Sequence, residues 1–234
     1  MIKEELIQRS PIRIFEQSFH GGLKAGEIGI IASPHGIGKT SVLVQLGLDK
    51  LLQGKKVIHV SFTQHTNHVL AWYADIFDEF ISKKNLEHAA DVKNEVVKNR
   101  VLMNFNQDVM SKDQIIKSLR AMIVEGGFEA EAVIIDGFDF SRTDRERIAS
   151  VKALAQELGL SVWYSCSVKD EGQQYDKEKI PLLFKDLVDI LDVIIVLEPK
   201  ADHIELSISK DRDTHDTKAL AMRLDPKTLL ILER

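Results

Sequence analysis

The chain has 234 residues, 44% of them hydrophobic and 29% charged, with a formal net charge of −5 at pH 7. That length suits one α/β domain with a sizeable core, the negative charge gives no general attraction to nucleic acid, and no apolar run approaches the roughly 20 residues that cross a bilayer. Cys166 is the only cysteine, which excludes an internal disulfide and a cysteine-rich zinc site.

Met1-Ile2-Lys3-Glu4-Glu5 lacks the apolar core of a secretion signal, so the expectation is a cytoplasmic protein with no membrane association. Residues 1–20 read as an N-terminal extension. Glu27-Ile28-Gly29-Ile30-Ile31-Ala32 then reads as a buried strand, and 40–52 as a helix with Val44, Leu48, Leu51 and Leu52 along one side. Between them, Ala32-Ser33-Pro34-His35-Gly36-Ile37-Gly38-Lys39-Thr40-Ser41 has the pattern of a phosphate-binding loop (Walker A). Such a loop needs backbone N–H groups that curl around a polyphosphate, a lysine that reaches the terminal phosphates, and a hydroxyl that holds magnesium. Gly36, Gly38, Lys39 and Thr40 meet those needs, and Ser33, Pro34, His35, Ile37 and Ser41 complete the candidate nucleotide contacts. Ser33 stands where the GxxxxGK[ST] pattern has its first glycine.

Val57-Ile58-His59-Val60-Ser61-Phe62 is the next strand, followed by a helix capped by Thr66 on which Val69, Tyr73, Ile76, Phe77 and Phe80 recur at core spacing. A more polar helix is expected at 86–98, a strand at 101–105 and a helix at 112–125 that stops at Gly126-Gly127. Ala132-Val133-Ile134-Ile135-Asp136 is an apolar strand ending in an acid. With a phosphate loop upstream, that carboxylate suits a magnesium-holding Walker B role, which makes Thr40 and Asp136 the candidate metal ligands. A helix at 145–158 and strands at 161–167 and 193–197 extend the alternation, and their continuous apolar runs predict a mostly parallel sheet buried on both faces and flanked by helices. Residues 203–210, 220–224 and 228–232 read as strands without intervening helices, a C-terminal antiparallel extension over 203–234. The polar run 169–179, with Gly172, is the candidate mobile loop. The whole of 1–234 reads as a single domain.

The chain is similar over almost its whole length to the RecA-like P-loop ATPases, and within them to the DnaB helicase ATPase domain and KaiC-type domains. Gly21-Gly22-Leu23-Lys24-Ala25-Gly26-Glu27 resembles the family's GGL-x-x-G-[DE] turn before the first strand. Ala32 through Thr40 resembles the helicase phosphate loop, which also lacks the first glycine, and 147–158 resembles the helix after Walker B in DnaB. Ser209-Lys210-Asp211-Arg212-Asp213-Thr214-His215-Asp216 resembles the KaiC stretch in which a K-x-R pair precedes His-Asp. The resemblance implies a RecA-like fold, ATP and Mg2+ as ligands at a subunit interface, and self-association as a ring, filament or dimer. It also implies that Lys210 and Arg212 reach the γ-phosphate bound by a neighbouring subunit, so that Lys39, Lys210 and Arg212 form the candidate catalytic set. Two cations at i and i+2 on a strand face the same way, but they could equally pair with Asp211, Asp213 or Asp216 on a solvated hairpin.

Two positions depart from the family. Its catalytic glutamate follows the second strand, where this chain has Thr63-Gln64, neither of them a carboxylate base. The helicase's glutamine after the strand ending Tyr164-Ser165-Cys166-Ser167 is replaced by Ser167. Arg142, Arg145 and Arg147 could touch nucleic-acid phosphates, but Asp144 and Glu146 interleave with them as in a solvated helix start. His35, His59, His65 and His68 lack the spacing of a metal site, and Asp139, Asp189 and Asp192 read as caps and turns. The expected function is therefore ATP binding and assembly with weak or lost hydrolysis. The alternative is a DNA-stimulated motor ATPase of the DnaB helicase type, with single-stranded DNA possible but not favoured; the sequence names no protein partner.

Overall fold

The computed structural model describes residues 10–62, 65–84, 90–111, 113–168, 175–215 and 217–233. Helix α1 (Pro11–Gln17) starts with proline, whose fixed φ and missing N–H suit a first helical turn. The expected extension is part of the core, since Phe15 and Phe19 are fully buried and Arg13 and Glu16 pair with Asp49 and Lys50 at 3.0 Å each. Strand β1 (Ile28–Ser33) is buried throughout and leads through the phosphate-type loop into α2 (Lys39–Leu52), which is apolar nearly all round. Strand β2 (Lys56–Ser61), helices α3 (Thr66–Lys84) and α4 (Ala90–Lys98) and strand β3 (Arg100–Asn104) follow. Val69, Tyr73, Ile76 and Phe77 of α3 are buried as the helical spacing predicts, while the Phe80 side chain and residues 85–89 lie outside the described residues.

The helix expected at 112–125 is shorter. Helix α5 (Gln114–Arg120) gives way to a π turn, Ala121–Glu125, in which the Gly126 N–H reaches back five residues to the Ala121 carbonyl at 2.8 Å. Strand β4 (Ala130–Asp136) and helix α6 (Arg145–Leu158) fall where the pattern puts them. The Asp144 carboxylate caps α6 by accepting from the Arg147 N–H, and Gly159 closes it at φ 68°. Strands β5 (Ser161–Ser167), β6 (Val193–Pro199), β7 (Ile204–Asp211), β8 (Lys218–Leu224) and β9 (Ile231–Glu233) complete the chain. Of the candidate loop, 169–174 lies outside the described residues, and the part after it is a turn closed by Asp176 N–H to Ile180 at 2.9 Å.

The strands form one sheet in the order β3-β2-β4-β5-β1-β6-β7-β8-β9. The first six in sequence run parallel and β7 to β9 antiparallel, as the sequence pattern predicts. Side chains alternate between two cores. Ile31, Trp163 and Ile195 join the layer beneath α1 to α4, while Ile30, Tyr164 and Ile194 join the layer beneath α5 and α6. Each such side chain removed from water contributes about 1.5–3 kcal/mol, so β1, covered on both faces, is a rigid platform for the loop at its end.

Candidate functional site

Strand β1 lies between β5 and β6, and the carboxyl ends of these parallel strands form the edge where α/β sheets bind ligands. Gly36 and Gly38 take φ of 81° and 108°, conformations that side chains with a Cβ rarely adopt, and α2 begins at Lys39. The Lys39 ammonium, 8% exposed, donates to the carbonyls of Ser33 (3.1 Å) and Pro34 (2.6 Å) and to the Ser33 hydroxyl (3.2 Å). Ser33 and Pro34 thus present their oxygens to the lysine, and Ile37 packs against the apolar core.

Asp136 meets this loop across β5. Its Oδ2 accepts from Thr40 Oγ1 at 2.9 Å, and its Oδ1 accepts from Ser165 Oγ at 2.6 Å. The Ser165 hydroxyl in turn accepts from the Gly137 N–H at 2.8 Å, which fixes both the serine and the carboxylate. Thr40 and Asp136 are therefore two hard oxygen donors side by side, the donor type that Mg2+ takes, and they fit that ion. The sequence reading missed Ser165, because a serine inside a buried strand gains meaning only once β5 lies between β1 and β4.

A cavity of about 380 Å3 opens over these groups, lined on the loop side by His35, Gly36, Gly38, Lys39, Thr40 and Ser41. Its other walls are Trp72, Asp136 to Asp139, Ser165, Ser167 and Leu229. Ser41 faces the cavity with its hydroxyl already donated to the Leu229 carbonyl, which also accepts from Gln45 Nε2 at 2.9 Å. Beneath the floor, burial pushes the Cys166 thiol up to about 12, with Lys39 pulling it down and Asp139 pushing it up.

Lys210 and Arg212 lie elsewhere. Lys210 pairs in register with Ile194, and β7 ends at the edge of the sheet opposite the phosphate-type loop. The Lys210 ammonium is 6% exposed and donates to the carbonyls of Leu191 (2.6 Å) and Arg212 (2.5 Å), and burial lowers its pKa. Arg212, at φ 55°, donates to both carboxylate oxygens of Glu27 (2.9 and 2.7 Å), to Asp211 and to the carbonyls of Phe19 and Gly22. Burial pulls its pKa down, but the Glu27 and Asp211 carboxylates outweigh that and raise it. Asp216 of the same motif lies outside the described residues, as do Thr63 and Gln64.

The three arginines considered for nucleic acid are occupied. Arg142 pairs with Asp108, Arg145 makes a two-pronged contact with Asp189, and Arg147 lies over the Phe138 ring. Among the described residues no group of three or more His, Cys, Asp or Glu side chains is placed to hold a metal, and no helix is long and apolar enough to cross a membrane. His59 is buried between β2 and α3, with Nδ1 3.2 Å from the Tyr73 hydroxyl.

No family model and no curated sequence matches the chain. Among solved structures, the ATPase domain of a DnaB-type helicase is similar, with a TM-score of 0.70 over 99% of this chain and 95% of that one, at 15% sequence identity. The chain thus has the fold of a RecA-like P-loop ATPase domain.

Proposed function

We propose that the chain binds Mg·ATP in the cleft between the Gly36–Thr40 loop and Asp136, and that the bound nucleotide organises contact between copies of the chain rather than driving fast turnover. The observation that carries this reading is the Lys39 ammonium, held on two loop carbonyls beside the paired Thr40 hydroxyl and Asp136 carboxylate. Phosphate oxygens offer Lys39 the same acceptor chemistry with added negative charge, so exchanging the carbonyls for a polyphosphate is favourable. The N–H groups at the start of α2 and the positive end of its dipole add to that attraction. Mg2+ would be held by Thr40 and Asp136, and it supplies charge neutralisation between the phosphates. Ser165 keeps the Asp136 carboxylate turned toward Thr40.

Hydrolysis is slow or lost because Thr63 and Gln64 supply no carboxylate where the RecA-like family has its glutamate. A DNA-driven motor is not favoured, since Arg142, Arg145 and Arg147 are all engaged within the chain. Titration with a fluorescent ATP analogue tests the binding reading. Saturable, magnesium-dependent binding is expected, with Lys39→Ala weakening it ~10–100-fold, the equivalent of losing a charged hydrogen bond of roughly 1.5–3 kcal/mol. Equal affinity in wild type and variant would show that the loop is not the binding site.

A further inference from the structure

We infer that Asp139 is the general base of the cleft, accepting the proton of the water that attacks the terminal phosphate in place of the carboxylate missing after β2. The inference rests on the nucleotide reading above and makes turnover slow rather than absent. Placement is the first support. Gly137, at φ 76°, turns the chain out of β4, and Phe138 and Phe140 bury themselves at 2% and 4% exposure. Phe138 packs edge-on against Phe62 (5.4 Å), Phe140 (5.2 Å) and Tyr164 (5.6 Å). The residue between the two anchored rings is forced outward, and Asp139 lines the cavity with Lys39, Thr40 and Asp136.

The residue is also held firmly. Its N–H donates to Gln107 Oε1 at 2.9 Å and its carbonyl accepts from Gln107 Nε2 at 3.0 Å. Its Oδ1 caps the following 3-10 turn by accepting from the Ser141 N–H (2.9 Å) and hydroxyl (2.6 Å). No hydrogen bond to Oδ2 is seen among the described residues, so one oxygen anchors the carboxylate and the other remains an acceptor. The opposing pulls of Lys39 and Asp139 on the single buried thiol of Cys166 place both charges around the same floor. Asp136, the other carboxylate lining the cavity, is committed to Thr40 and Ser165.

In the step assigned to Asp139, the water oxygen bonds to the γ-phosphorus as the bond from that phosphorus to the β–γ bridging oxygen breaks. ADP leaves with the bridging electron pair, and the water proton passes to Asp139 and from there to solvent. Asp139→Asn keeps the shape and lets the amide oxygen still cap Ser141 while removing the base. The expected result is unchanged affinity for the fluorescent ATP analogue, an unchanged melting temperature and phosphate release reduced about 100-fold, within the range for general-base loss. Nucleotide recovered from the protein after incubation should be ADP in wild type and ATP in the variant. Asp139→Glu, which restores a carboxylate, should release phosphate faster than Asp139→Asn. Ser141→Ala, which weakens only the cap, should lower the melting temperature and retain turnover. Release at the wild-type rate from Asp139→Asn, or bound ATP that wild type never converts, overturns the inference and leaves the binding reading intact. Failure of wild type to bind the analogue refutes the binding reading, and this inference with it.

Discussion

His59 occupies a position where charge is costly. It is fully buried, its Nε2 has no hydrogen-bond partner among the described residues, and burial holds its pKa down at about 4 against an ordinary 6.5, with Asp136 opposing and Arg100 adding to the shift. The unfolded chain takes up a proton below pH 6.5 that the folded chain refuses until about pH 4. Stability is therefore fully present above 6.5 and falls as the pH drops toward 4, by on the order of 2–3 kcal/mol. Urea unfolding at pH 7 and pH 4.5 should show that loss in wild type and a flatter dependence in His59→Phe. The variant pays a pH-independent cost of about 1–3 kcal/mol for stranding the Tyr73 hydroxyl. An equal slope in both proteins would place the pH dependence in other groups. The same scale shows what single residues reveal in a sequence. Lys39, Thr40 and Asp136 carry motif chemistry that spacing exposes, whereas Ser165 and Asp139 draw their meaning from the strand order and from the two buried phenylalanines beside Asp139.

Among the elements, the C-terminal hairpin bears most directly on the phosphate-type loop. Leu229, at φ 56°, sends its carbonyl to Ser41 and Gln45, and the Gln45 side-chain oxygen accepts from the Ile231 N–H at 2.8 Å. A Cβ on Gly38 would lie 2.6 Å from a Leu224 methyl, at a φ of 108° that already disfavours any side chain. Gly38→Ala should therefore lower the melting temperature and weaken binding of the ATP analogue, with strain of about 1–2 kcal/mol from the backbone alone. Adding Leu224→Ala relieves the collision and leaves the backbone strain, so recovery should be partial. Full recovery would show that packing alone excludes a side chain, and no recovery that the backbone alone does. Helix α6 was legible to the residue because its cap, its glycine stop and its core spacing agree. The strand expected at 228–232 was not, because the Asp225 carboxylate accepts from the N–H groups of Lys227 and Thr228 and bends the chain into a turn before β9. The π turn after α5 leaves no comparable mark in the spacing of Ile115, Ile116 and Leu119.

For the whole molecule, the two ends of the sheet pose the question of assembly. The phosphate-type loop lies at the carboxyl edge of the parallel strands and Arg212 at the opposite one, a separation that prevents the arginine from serving its own nucleotide and suits contact with a neighbour's. The order of the strands was readable from the alternating pattern, but the partners of Arg212 were not, since Glu27 is 185 residues away in sequence. That pairing is the obstacle to a trans role. Hydrogen bonds between charged groups are worth about 1.5–3 kcal/mol, and a neighbouring phosphate must offer at least as much to draw the guanidinium away. Light scattering with and without ATP should show a larger assembly that Arg212→Ala blocks. Because Arg212 also ties β7 to the turn before β1, that variant alone could fail through misfolding, and Glu27→Gln separates the two roles. If Arg212 acts on a neighbour's nucleotide, weakening its intrachain partner should lower the ATP concentration needed for assembly. If Arg212 is only a clamp, Glu27→Gln should lower the melting temperature and leave the mass unchanged at every ATP concentration, which would end the trans reading.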